Sequence, residues 1–566
     1  MTLDRRSFLK LAAVASAGVA GGSALQGTAF ASTLGLDPDG VFQYGVASGD
    51  PLPGRLIIWT RVTPVPSASP GSGVGDATPV RWVVATDPRL KKAVASGSVN
   101  TSAASDHTVK VDVGGLEPAT TYWYGFVAKG QISPVGRGRT APAAGSTPER
   151  LRFGLASCSN YAAGFFAPYR FLAARNDLDF ILHVGDYIYE YGDGQFGATR
   201  PLDPPTEIVE LEDYRRRHAL YKADSDLRAA HAAHTWITTI DDHEITNDTW
   251  RDGAQNHQPA TEGSFSERRS VAFQAYLEWM PIRVTPVGAG GVELYRSFRF
   301  GTLADLVMLD LRSYRDAPAT TAAQLGDPAR TLLGARQKQW LQGELATPTQ
   351  WKLLGNSVQL MTVNYPPTGL LGNLLVGPVE RNQDAWDGYP FDQAAVLGQA
   401  ATSGYDLVAL TGDIHTTWAA NLRSPSGAAA GVEFVCTSVT SDNVNELLGQ
   451  APRNATSQGF EGILKTINAP RIPLVELDSH GVSVVEVTAA RVQCDWWYVS
   501  DRTDPAASMT PGFSAQSVRG SRTVTPLAPG FAPMPLADDI SLHKHADKAA
   551  KPQPRSLGLA GRQTGS

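Results

Sequence analysis

The sequence predicts an α/β core behind a small all-β domain, and three of its features carry that reading. From about residue 41 to residue 140, alternating apolar and polar stretches such as RLIIWTRV, PVRWVVATD, HTVKVDV and TYWYGFVA are separated by Gly, Pro and Asp turns. Beyond Arg150, apolar runs of strand length alternate with longer, helix-compatible segments. Those runs, LRFGLAS, FILHVGD, WITTIDD, ADLVMLDL, WKLLGNS and YDLVALTGD, end repeatedly in polar or small residues.

The chain opens with an address. Arg5 and Arg6 begin the twin-arginine run RRSFLK, an apolar stretch follows from Leu9 to Ala20, and Ala29-Phe30-Ala31 fits a cleavage site. The apolar run is shorter than the roughly 20 residues that span a bilayer, so residues 1–31 read as a signal that is recognised by the twin-arginine export machinery and cleaved after Ala31. That route carries folded proteins and suits one that acquires a metal before leaving the cytoplasm, so a secreted or extracytoplasmic location is expected.

Residues 41–140 form the expected β-sandwich. Within it Leu116, Pro118, Thr120 and Tyr122 make an L-x-P-x-T-x-Y pattern that resembles the tyrosine corner of immunoglobulin and fibronectin type III sandwiches. Ala141–Glu149, rich in Ala, Gly, Pro and Ser, reads as a linker to a core spanning 150–525. LVELDSHGVSVVEVTAARVQCDWWYVS reads as antiparallel strands that finish the sheet. The tail, 537–566, lacks apolar periodicity and is expected to be disordered.

Composition excludes several classes. A chain of 566 residues with 42% hydrophobic and 18% charged residues is globular and large enough for two or more domains. A formal net charge of -6 gives no general attraction to polyanions, so a stable nucleic-acid partner is not expected, although nucleic acid remains a possible substrate. Three cysteines make no disulfide framework. Cys436 and Cys494 lie in apolar runs as buried thiols or as a mutual disulfide, and Cys158 is left over at a strand end.

Ligand sites in open α/β sheets lie beyond the carboxyl ends of the strands. There this chain places Cys158 and Asn160; Asp186 with Tyr189; Asp241, Asp242, His243 and Asn247; Asn356; and Asp413 with His415. One strand-end Asp usually caps a helix or closes a turn. Five such ends in one core point instead to a metal centre.

Three blocks carry a resemblance. GDYIYEY at Gly185–Tyr191, DDHEITND at Asp241–Asp248 and TGDIHTTW at Thr411–Trp418 resemble the PhoD family of alkaline phosphatases and phosphodiesterases, within the calcineurin-like metallophosphoesterases and similar to purple acid phosphatases. GVASGDPLPGRLIIWTRV at Gly45–Val62 resembles the family's N-terminal domain. The resemblance implies a four-layer core of two sheets flanked by helices. It also implies a ferric ion (Fe3+) beside one or two calcium ions (Ca2+). Thiolate, phenolate and imidazole suit a transition metal, and carboxylate and amide oxygens suit calcium. By resemblance, Cys158, Tyr189 and His415 hold iron, Asp186 bridges, Asp242 and Asp413 hold calcium, and Asn247 is a candidate for a second calcium. Asp186 and His243 are the expected catalytic residues, His243 as donor to the leaving oxygen.

The implied reaction is hydrolysis of phosphomonoesters and phosphodiesters by a hydroxide generated on the metals, with no protein nucleophile. A metal-dependent phospholipase D of the actinomycete type is the alternative. It requires an apolar site mouth, for which Leu370, Leu371, Leu374, Leu375 and Val376 are candidates, a buried connection being the other reading. A non-catalytic extracellular binding protein is the second alternative. Small phosphate esters, phospholipid or nucleic-acid phosphodiesters are the expected substrates, and a monomer is expected. Asn356 is either a ligand or a loop amide, the Arg-rich Tyr214–Lys222 either a phosphate clamp or a solvated helix face, and Arg61 and His480 have no assigned role.

Overall fold

The computed structural model describes residues 40–283, 285–287, 291–366 and 382–528. The export signal, the tail and the Leu370–Val376 stretch lie outside the described residues. Each apolar run named above within residues 41–140 and 150–411 is a strand, because β-branched and aromatic residues bounded by turn formers fit a pleated sheet covered on both faces.

The larger sheet has ten strands, in the order Thr525–Leu527, Met509–Val518, Arg491–Val499, Gly481–Thr488, Arg150–Ala156, Phe180–His183, Thr235–Thr238, Val46–Leu52, Arg55–Arg61 and Thr108–Gly114. The second has seven, Arg296–Phe300, Ala304–Met308, Trp351–Asn356, Asp406–Thr411, Ala429–Val435, Thr417–Arg423 and Leu474–Glu476. Strand periodicity lets each sheet serve two cores. On Asp406–Thr411, Val408 and Leu410 join an inter-sheet core with Phe153, Leu155, Leu182 and Leu306, while Leu407 and Ala409 face the opposite way.

Helices cover the outer faces. Ala167–Ala173, Leu211–Ala223, Ser225–Ala233 and Phe265–Trp279 bury Tyr169, Tyr214, Leu227 and Tyr276 against the larger sheet. Gly334–Ala346, Pro390–Thr402 and Ala455–Ile467 bury Leu341, Val396 and Leu464 against the smaller one. Burying one such side chain contributes roughly 1.5–3 kcal/mol, so cover on both outer faces is what makes fully apolar strands tolerable.

The N-terminal segment does form two facing sheets, but they are not set apart from the core. Thr78–Ala85, Ala93–Thr101, Thr121–Ala128, Gln131–Ile132 and Gly136–Arg139 make one. The other is the edge of the ten-stranded sheet itself, where Val46–Leu52 pairs in parallel with Thr235–Thr238. Val46, Leu56, Val80, Val113 and Phe126 share the core between them. The Tyr122 hydroxyl accepts a 2.8 Å hydrogen bond from the backbone N–H of Glu117.

Candidate metal centre

The parallel strands of both sheets end on the same side of the inter-sheet core, and the motif residues follow those ends directly. Cys158 follows Arg150–Ala156, Asp186 follows Phe180–His183, Asp241 and Asp242 follow Thr235–Thr238, and Asp413 and His415 follow Asp406–Thr411. The turns are tight. Gly185 has φ +108°, and a Cβ there would stand 2.5 Å from Cβ of Asp241; one on Gly412 would stand 2.7 Å from Ser157. Cys158, Asp186, Asp248, Asp413 and His415 all adopt left-handed φ between 53° and 64°. For non-glycine residues this costs of order 1 kcal/mol or more each, and such strain gathers where the surroundings over-determine a functional geometry.

Donor atoms of Cys158, Asp186 and His415 lie within 4.8 Å of one another. The Tyr189 hydroxyl joins them, donating to Asp186 Oδ2 at 3.1 Å and lying 3.5 Å from His415 Nε2. His415 Nδ1 meets the carbonyl of Asp442 at 2.8 Å, which turns Nε2 towards the group. Ser441 hydrogen-bonds both the Cys158 carbonyl (2.9 Å) and the Tyr189 hydroxyl (2.7 Å). Burial, reinforced by the charge of Asp186, pushes the Cys158 thiol and the Tyr189 phenol well above their ordinary values. Burial likewise raises Asp186, whose Oδ1 is buried without any hydrogen-bond partner. An orphaned buried carboxylate oxygen amid sulfur, phenol and imidazole fits a cation, which would compensate all of these groups at once.

Asp186 also belongs to a second group, with Asp242 and His243, and Asp242 to a third, with Asp248 and Asp384. His243 stacks on Tyr189, ring centroids 4.2 Å apart, and its Nδ1 lies 2.6 Å from Glu190 Oε2. Burial opposes the imidazolium, but Glu190, Asp242 and Asp186 outweigh it and hold its pKa well above the ordinary histidine range. Two further carboxylates shape the turns. Glu244 accepts backbone N–H bonds from Asp186, Tyr187 and Asp241, and Glu190 accepts from the Asn247 N–H and the Asn256 amide.

Other candidates are held by local partners. Both N–H groups of the Asn356 amide are spent on Val358 O and Thr411 Oγ1, and its oxygen accepts from Trp386 Nε1 at 2.8 Å. The helix Leu211–Ala223 is neither a phosphate clamp nor a solvated face. Arg215 pairs with Glu278, Arg216 with Asp203, and buried Arg217 donates to the carbonyls of Tyr189, Tyr191 and Pro204, bracing the GDYIYEY turn. Arg61 is buried against Asp106, Tyr44 and Trp279. His480 bonds Ser438 and Glu446, propping the loop that carries Ser441 and Asp442. Asn247 donates through Nδ2 to Gln255 at 2.8 Å. Cys436 and Cys494 are buried free thiols, not a disulfide.

The residue that strand-end reasoning missed is Arg312, wholly buried after Ala304–Met308. It grips Asp241 with two nitrogens and reaches Asp384 (2.7 Å) and Asp413 (3.1 Å). The signal was present in LDLRSYRD, another apolar run ending in charge.

The PhoD-like phosphatase profile matches residues 153–496, and the profile of the PhoD-like phosphatase N-terminal domain matches 32–142. The chain belongs to the PhoD-like phosphatase family. Alkaline phosphatase D of Bacillus subtilis (strain 168) is 36% identical over 460 residues, covering 78% of this chain and 76% of the relative. A solved structure titled "Structure of PhoD" superposes with a TM-score of 0.77 at 32% identity, over 90% of this chain and 97% of that one. This PhoD-like chain is therefore a phosphoric ester hydrolase, with groups of side chains suited to metal at its strand ends.

Proposed function

We propose that this enzyme hydrolyses phosphomonoesters and phosphodiesters at a mixed iron and calcium centre. The observation that carries this reading is Asp186, shared between one donor group with the Cys158 sulfur and the His415 imidazole and another in which it meets the Asp242 carboxylate beside His243. Cys158, Tyr189 and His415 would hold the ferric ion, Asp186 would bridge, and Asp242 and Asp413 would hold calcium. Asn247, its amide nitrogen committed to Gln255, offers its carbonyl oxygen to a second calcium. Charge supports the pairing: three carboxylates, a thiolate and a phenolate carry five negative charges, which a trivalent and a divalent cation balance.

When bound, such cations neutralise phosphoryl oxygens and bring the pKa of a coordinated water towards neutrality. The protein's own part is to hold the ligands in strained turns, exclude competing water and keep a proton on His243. Glu190 holds His243 Nδ1, which orients Nε2 for donation to the leaving oxygen. The layered core is read as the four-layer metallophosphoesterase sandwich, and the N-terminal strands as an immunoglobulin-like domain. The enzyme acts outside the cytoplasm as a monomer after twin-arginine export. Replacing Arg5 and Arg6 together by Lys should retain the precursor in the cytoplasm, because the pathway reads the guanidinium pair; normal secretion of that variant would refute this route.

Purified protein assayed on p-nitrophenyl phosphate and on its bis ester, with elemental analysis of the same sample, tests the central claim. Turnover of both, with iron and calcium present, is expected. Failure on both substrates in a metal-loaded preparation would overturn it.

A further inference from the structure

Arg312 poses a physical problem. A guanidinium whose Nη2 lies 3.1 Å from Asp413 Oδ1 and 3.6 Å from Asp242 Oδ1 stands beside the two carboxylates read above as calcium ligands. An unscreened cation there would repel a divalent ion. This one is not unscreened. Asp241 takes two of its nitrogens in a fork, and Asp384 takes Nη1 at 2.7 Å. The other oxygen of Asp384 lies 2.6 Å from Nη2 of Arg315, itself buried and fixed to Thr249 O and Asp384 O. Two arginines thus meet two aspartates that serve no other charge, and the cluster is neutral as a unit.

We propose that Arg312 is the positioning residue of the hard-cation half of this centre, fixing which carboxylate oxygens face the ion without altering the charge offered to it. The proposal rests on the iron and calcium reading and deepens it. Nη2 engages Oδ1 of Asp413 and leans on Oδ1 of Asp242, while Oδ2 of Asp242 accepts the backbone N–H of Asp248 at 2.6 Å. The Asp413 carboxylate is therefore fixed through Oδ1, and that of Asp242 is fixed through Oδ2 with Oδ1 beside the guanidinium, so each is held in one orientation. A planar fork with five donors in fixed directions can serve Asp241, Asp384 and Asp413 together; a lysine ammonium cannot keep that geometry. Arg312 reaches across from the smaller sheet to turns on the larger one, so it also sets the spacing between the two sides of the site. The acidic trio of Asp242, Asp248 and Asp384 reads differently in this light, since both oxygens of Asp384 already face guanidinium nitrogens.

The test compares wild type, Arg312→Lys and Asp384→Asn, each purified with iron in place, by calcium titration calorimetry, iron content, visible absorption and thermal melting. Disturbing an outer-shell partner of a metal site typically weakens affinity by about 10–100-fold. Arg312→Lys should lose calcium affinity in that range while keeping its iron and colour. Asp384→Asn leaves Arg312 in place but removes part of its neutralisation, so its calcium affinity should also fall, more steeply at low ionic strength. A merely structural role would lower the melting temperature and shed iron and calcium together. Calcium affinity within twofold of wild type in a folded Arg312→Lys protein would overturn the proposal, and if that variant does not fold, unchanged affinity in Asp384→Asn would do so. Wild type that binds no calcium at all would instead refute the underlying metal reading.

Discussion

In the proposed reading Asp186 carries more of the chemistry than any other side chain, and its environment says why. Its Oδ2 accepts from Tyr189, its Oδ1 is buried without a partner, and its left-handed backbone is held by N–H donation to Glu244. Asp186→Asn substitutes a neutral group that binds cations poorly, so kcat should fall by about a hundredfold or more while the far-ultraviolet circular dichroism stays native. Retention of more than about a tenth of wild-type activity would contradict a bridging role. The candidate residues were legible in the sequence because each follows the end of its strand. Arg312 also follows an apolar run, in LDLRSYRD, but its role and that of Asp384 were not legible, since a buried arginine is identified by its partners, and those partners lie on different strands and loops.

At the scale of elements, the site is a set of turns tied to one another by buried carboxylates. Glu190, in the GDYIYEY turn, accepts from His243, Asn247 and Asn256 of the following block. Burial opposes its ionisation, yet the charge and hydrogen bond of His243 with the two amide donors bring its pKa down to about 2 from the ordinary glutamate value of 4.5. A carboxylate whose folded pKa is depressed contributes stability that is full above its unfolded pKa and lost as pH falls through the folded one. Glu190→Gln should therefore cost on the order of 3 kcal/mol near pH 7, and the gap should close between about pH 4.5 and pH 2. Melting curves of both proteins across that window check it; a gap independent of pH would mean that the glutamate acts through shape alone. The helix Leu211–Ala223 shows the limit of reading elements from composition. Its arginines look like a charged face in sequence, but carbonyls and carboxylates of neighbouring loops absorb them, and loop partners of that kind leave no periodic trace.

For the whole molecule, strand and helix content followed from local pattern, whereas the join between segments depends on pairing over long sequence separations. Ala141–Glu149 reads as a linker, yet Ser48 and Gly49 pair with Thr235 and Trp236, so the N-terminal strands close an edge of the catalytic sheet. Calorimetry should show one unfolding transition, and a chain starting at residue 141 should aggregate through the bared Thr235–Thr238 edge. Two separated transitions would show independent domains. The same convergence of two sheets on one site makes the metals separable by experiment. Oxygen donors such as Asp242 and Asp413 would hold calcium in an exchangeable way, so a calcium-selective chelator should abolish activity and added calcium should restore it. Iron held by the Cys158 thiolate and the Tyr189 phenolate should survive that treatment and give the protein visible ligand-to-metal absorption. Cys158→Ala should weaken absorption and iron content together while leaving calcium titration largely intact, because the sulfur belongs only to the group with Asp186 and His415. A colourless, iron-free wild-type preparation fully active with zinc would overturn the assignment, since the same side chains would then be serving two ions of one kind.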